Sequence, residues 1–169
     1  MKSIDSEKVI KKVFEEITRE EEEMISTAQQ LVRIPSLVGK ELEAQKFIEG
    51  KLKEMGLKVD TFDAQLEEVQ GHETYIQVPY PYENRPNVVG VLEGSPQTRS
   101  LILNGHVDVV SPEPLDQWTL DPWGGQVRDG KLYGRGAFDM KGGMIANLFA
   151  LKAILKSGVK PKGRLIWAS

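Results

Sequence analysis

From Met140 to Ser157 the chain reads as a helix that is apolar nearly all round, with Met144, Ile145, Leu148, Phe149, Leu151, Ile154 and Leu155 distributed around its axis. A helix of that kind has to be buried on most sides, so other elements must be laid around it. Gly158 and Pro161 close it, and Arg164–Ala168 (RLIWA) starts a strand of the buried type. Upstream, Ser100–Asn104 (SLILN) is a short, nearly unbroken apolar run, the pattern of a strand covered on both faces. Strand, buried helix, strand is a βαβ crossover, expected to be right-handed. This points to an α/β layered domain with a mixed sheet.

The rest of the chain supplies the layers. Val9, Ile10, Val13, Phe14 and Ile17 recur at helical spacing, and Met24, Ile25, Ala28, Leu31 and Val32 extend the stripe. One helix from about Asp5 to Arg33 is therefore expected, ended by Pro35. Glu20–Glu23 lies within it as a solvated face rather than a cation site. A second helix fits Glu41–Met55, with Ala44, Phe47, Ile48, Leu52 and Met55 on one face and Gly56 at the C-cap. Leu57–Asp63 and Asn87–Leu92 read as strands. The Tyr/Pro-rich stretch between them is longer than an ordinary connection and is expected to be either a functional surface loop or a mobile one. Gln126–Arg128 and Lys131–Tyr133 form a hairpin turning at Asp129-Gly130.

Composition narrows the function classes. Lys and Arg total 22 against 25 Asp and Glu, a net charge of -3, and no basic stripe offsets it. Nucleic acid is therefore not expected as a partner. No apolar run is long enough to span a bilayer, and the first residues lack a signal-peptide core. A cytoplasmic protein with no membrane partner is expected. Zero cysteines exclude disulfides, thiolate metal sites and cysteine nucleophiles.

Two polar clusters remain. His106 and Asp108 follow the SLILN strand two residues apart. In extended chain they share a face, so the Asp108 carboxylate can approach one imidazole nitrogen while the other points outward. Such a partner orients metal-ligating histidines. A lone His-x-Asp reads more readily as a satisfied histidine at a strand end. The second cluster is Gly134–Gly143 (GRGAFDMKGG), with Asp139 between a glycine-rich turn and the apolar helix. Asp139 alone reads as an N-cap. The glycines complete neither a dinucleotide fingerprint nor a phosphate loop. Taken together, the clusters place His106, Asp108 and Asp139 at the carboxyl ends of neighbouring strands, where open α/β sheets bind ligands. A His with two carboxylates describes part of a hard-ligand zinc or cobalt centre.

The stretches LNGHVDVV (103–110), W…DPWGG (118–125) and DGKLYGRGAFDMKGG (129–143) resemble the dinuclear-zinc amidohydrolase and peptidase family. That family includes acetylornithine deacetylase, succinyl-diaminopimelate desuccinylase, aminoacylase and glutamate carboxypeptidase. LVRIPS (31–36) and RPNVVGVLEG (85–94) are similar to stretches near the start of those enzymes. The resemblance implies a layered α/β/α fold of the zinc-exopeptidase type, incomplete at its C-terminus. It also implies His106 as ligand of one metal, Asp139 as the carboxylate bridging two, and Asp108 as the catalytic-site aspartate behind the histidine. Zinc is the implied metal, two per intact site, with cobalt as the alternative. A cis peptide is implied at Asp139–Met140. The implied reaction is hydrolysis of an amide in an N-acyl amino acid or short peptide by metal-activated water, in enzymes that are often homodimers.

The family's glutamate pair, its general base and a further ligand, would follow the RLIWA strand, where the chain stops at Ser169. Residues 1–169 are thus expected to be the N-terminal portion of the catalytic domain, without the lid domain and the C-terminal catalytic segment. With His106 and Asp139 alone, weak zinc binding and no substantial turnover are expected of the chain. RLIWAS would then expose apolar surface or pair with another chain. A dipeptidase or aminopeptidase is the alternative within the family, and an inactive remnant acting as an interaction domain the alternative outside it. His72 reads as a surface histidine, Trp118 and Trp123 as loop anchors, and Arg135 and Lys141 as solvated or helix-start charges.

Overall fold

The computed structural model describes residues 6–77, 79–95 and 97–169. Helical spacing becomes α1 (Ser6–Arg19), α2 (Glu21–Val32), α3 (Leu42–Glu54), a single turn α4 (Leu66–Val69) and α5 (Gly142–Lys156). The strands are β1 (Lys58–Phe62), β2 (Asn87–Leu92), β3 (Leu101–Asn104), the hairpin β4 (Gln126–Arg128) and β5 (Lys131–Tyr133), and β6 (Leu165–Ala168). Four of them form a sheet in the order β1-β2-β6-β3. β1 and β6 both run antiparallel to β2, whereas β3 runs parallel to β6. The sheet is therefore mixed, and β3, α5 and β6 make the expected βαβ unit.

One core joins these elements. Leu31 of α2, Ala44, Ile48 and Leu52 of α3, Val88 of β2, Trp167 of β6 and Met144, Ile145, Leu148 and Leu151 of α5 are all buried in a single cluster. The apolar residues of α5 thus find partners around most of its circumference, as their pattern requires.

Three expectations change in three dimensions. The first helix is broken: α1 ends at Arg19 and α2 begins at Glu21, with Glu20 at φ -95° and ψ 3°. The expected start at Asp5 lies outside the described residues. Glu20 is ion-paired with Lys152 and Lys156 of α5, which anchors the chain at the break. α1 has no fully buried residue, and Ile10 and Phe14 of the expected stripe are exposed. The second change concerns β3, whose Leu101 and Ile102 are 53% and 57% exposed. β3 is an edge strand, hydrogen-bonded to β6 alone in the described sheet, and this exposure shows that its apolar run is not covered on both faces. The third concerns β6, which has β2 on one side and β3 on the other and buries Trp167. It does not lack neighbours.

Candidate metal centre

Beyond β3 the chain continues extended through Val107 and Val109, which are buried, while His106 and Asp108 face out. Segment 31–37 sets this alternation. The Ser36 hydroxyl donates to Val107 O at 2.5 Å, and Val109 N–H donates to Ser36 O at 2.8 Å. With the two valines fixed inward, the period-two geometry of extended chain turns His106 and Asp108 to the same outer side.

His106 stands between two carboxylates. Its Nδ1 is 3.1 Å from Asp108 O and 3.2 Å from Asp108 Oδ1. Its Nε2 is 3.2 Å from Asp139 Oδ1. Asp139 arrives on a wide turn, Ala137–Lys141, that precedes α5, and Asp139–Met140 is a cis peptide as the resemblance implied. The turn lies tightly over Val109. Gly136, at φ +78°, has no room for a side chain, since a Cβ there would come 2.4 Å from Val109 Cγ1. A glycine-rich stretch is thus needed to bring Asp139 within reach of His106.

This arrangement suits a metal on the outer side of His106. Two ligands of one tetrahedral zinc, with bonds of about 2.0–2.1 Å, stand about 3.3 Å apart. The His106 Nε2 to Asp139 Oδ1 separation of 3.2 Å fits that edge, and both side chains are solvent-accessible at 46% and 81%. Asp108, on the opposite ring nitrogen, is in place to hold the tautomer that leaves Nε2 free. Among the described residues no group of three or more His, Cys, Asp or Glu converges into a metal-holding set. The described chain therefore brings together two donors and an orienting aspartate.

Two neighbours escaped the sequence reading. Lys141 is not solvated but fully buried. Its ammonium donates to Leu31 O at 3.1 Å and Ile34 O at 2.7 Å, and it lies 6.0 Å from the centre of the Trp123 ring. Burial pushes its pKa down to about 8. Leu31 lies in the last turn of α2, where a cation is favoured, and Ile34 follows just beyond its C-cap. The available signal was a lysine at the entrance to a helix apolar nearly all round. The second is Arg85, which forms a forked pair with Glu41, Nε to Oε2 at 3.1 Å and Nη2 to Oε1 at 2.9 Å, both side chains largely buried. With Asn104, His106 and Asp108 this pair lines a cleft of about 290 Å³. Its partners are 44 residues apart, so no local pattern reveals it.

Trp118 and His72 match their readings, whereas Arg135, read as a solvated or helix-start charge, packs against Trp118 with its Nε buried. Trp118 is half-buried and its indole N–H donates to Pro112 O at 2.7 Å, while the Arg135 guanidinium lies 5.1 Å from the Trp118 ring centre. His72 is exposed, with Nδ1 2.8 Å from Thr74 Oγ1. Among the described residues no helix is long and apolar enough to cross a membrane.

With fold and geometry described, residues 102–169 match the model of peptidase family M20/M25/M40. This stretch is similar to that family. It is 34% identical over 95% of its length to the N-formyl-4-amino-5-aminomethyl-2-methylpyrimidine deformylase of Halalkalibacterium halodurans, of which it covers 35%. It is 30% identical over 85% of its length to the succinyl-diaminopimelate desuccinylase of Blochmanniella floridana, of which it covers 33%. Among solved structures, human carnosine dipeptidase 1 superposes with a TM-score of 0.74 at 25% identity, over 94% of this chain and 33% of that one. The chain thus spans about a third of the length of the curated relatives it matches.

Proposed function

We propose that residues 1–169 form a portion of the catalytic domain of a metal-dependent amide hydrolase, and that they supply His106 and Asp139 to its zinc centre. The observation that carries this is the 3.2 Å approach of His106 Nε2 to Asp139 Oδ1, with Asp108 on the opposite ring nitrogen. When bound, zinc polarises a scissile carbonyl and lowers the pKa of water. The chain's own residues do the positioning. His106 presents Nε2 as a neutral donor because Asp108 engages Nδ1. Asp139, mostly exposed, would hold metal together with His106. Asp108, by engaging Nδ1, keeps the His106 ring oriented and strengthens Nε2 as a donor.

The proposed substrate class is an N-acyl amino acid, with deacylation as the reaction. The names of the curated relatives support this, since both describe removal of a small acyl group, formyl or succinyl, from an amine. Dipeptide hydrolysis is the second reading, favoured by the fold shared with carnosine dipeptidase 1. The test uses the full-length gene product, loaded with zinc and assayed on N-acetylornithine, N-succinyl and N-formyl amines, and dipeptides. Asp139→Ala is expected to abolish metal loading, whereas Asp108→Ala keeps the metal and lowers kcat about 10–100-fold. Unchanged metal content and activity in both variants would reject the assignment. Preference for dipeptides over every N-acyl amino acid would replace the first reading with the second.

A further inference from the structure

We propose that Lys141 is a positioning residue that sets where Asp139 stands against His106, by tying the Asp139 turn to the same segment that holds His106. The inference rests on the metal-centre reading and extends it to how that centre is built. Segment 31–37 reaches both donors. Through Ser36 it grips Val107 and Val109 on either side of Asp108, one residue from His106. Through Leu31 O and Ile34 O it grips the Lys141 ammonium, two residues from Asp139. The backbone closes the other side, with Lys141 N–H donating to Gly136 O at 2.9 Å. His106 and Asp139 therefore hang from one bracket, although 33 positions separate them in the sequence.

Stability alone is a poor reason for this lysine. It is completely buried, and no carboxylate pairs with it among the described residues. An ammonium held only by carbonyls costs more to bury than a methionine of similar length. What the ammonium provides, and methionine does not, is a pair of directional bonds to two fixed carbonyls. Those bonds define the depth at which the wide turn sits, and so the distance from Asp139 to His106. A shift of an ångström there would separate the two donors beyond one metal's reach, because ligand spacing is set by short bonds.

The experiment titrates this chain with Zn²⁺, following binding by calorimetry, with far-UV circular dichroism as the fold control. Lys141→Met is expected to fold and to weaken Zn²⁺ binding about 10-fold, while Lys141→Arg recovers part of the loss. Amide exchange at Ala137 and Lys141 is expected to accelerate in Lys141→Met with the interior of α5 unchanged, a readout that needs no metal. A folded Lys141→Met with wild-type affinity and wild-type exchange in this turn overturns the proposal. His106→Ala and Asp139→Ala separate the two levels. If neither weakens Zn²⁺ binding, the metal reading fails, and the exchange measurement still decides whether Lys141 holds the turn. If both weaken it while Lys141→Met does not, only the bracket fails. Should Lys141→Met not fold, Lys141→Gln decides by the same metal-free measurement: faster exchange at Ala137 and Lys141 than in wild type supports the bracket, and wild-type exchange there overturns it.

Discussion

Glu20 gives the sharpest test of how the N-terminal helix is attached. Its carboxylate meets Lys152 at 2.6 Å and also Lys156, both on α5, and Lys152 is shared with Glu23 at 2.7 Å. The hydrogen bond from Lys152, followed by that from Lys156, holds the Glu20 carboxyl down from 4.5 to about 2. A displacement of that size corresponds to about 3 kcal/mol of folding stability if taken whole. The Lys156 end is half open to water, and solvent screening there reduces the expected contribution to about 1–2 kcal/mol. Glu20→Gln removes the charge and keeps the shape. Because the folded pKa is depressed, the contribution is fully present above pH 4.5 and disappears as pH falls through about 2. Urea unfolding of wild type and Glu20→Gln should therefore differ by about 1–2 kcal/mol near neutrality, with the gap closing between pH 4.5 and about 2. Amide exchange should accelerate first in α1, which buries no residue completely. A gap that persists unchanged at low pH, or no gap near neutrality, would refute this account of the anchor.

Gly136→Ala should destabilise the fold by about 2–3 kcal/mol, since it combines positive φ with an overlap on Val109. Gly56→Ala, at the same φ of +78° with open space around it, should cost only about 1 kcal/mol. Thermal unfolding of both checks this, and equal losses would mean that the contact with Val109 is slack. Arg85→Met leaves the Glu41 carboxylate buried without its partner, which should cost about 3–5 kcal/mol. The double variant Arg85→Met with Glu41→Leu should recover most of that in chemical denaturation, and a double variant no better than the single one would show that the pair does more than neutralise its own charges.

Much of the architecture was legible because it is local. α3 and α5, β2, and the hairpin at Asp129-Gly130 fall within a residue or two of their expected positions. Period and turn chemistry act over a few residues, and tertiary packing here did not oppose them. The break at Glu20 was not legible, because apolar spacing runs straight through it. The residue at the break pairs with two lysines on α5, more than 130 residues away. The exposure of Leu101 and Ile102 was equally hidden. An apolar run says that a strand is fit to be covered, and only sheet order says whether a neighbour is there.

The site divides along the same line. The sequence by itself determined which residues are candidates for metal chemistry: a histidine and aspartate two apart after a strand, and an aspartate inside a glycine-rich turn. Alternation in extended chain was enough to put Asp108 on the side of His106. Only the tertiary structure decided that Asp139 meets the other face of the imidazole at 3.2 Å. It also decided that a lysine read as solvated is the buried tie between that turn and α2. The physical reason is range. Dihedral preference and side-chain period act within a turn or a strand, whereas a contact between residues 33 or 107 positions apart depends on how the elements pack.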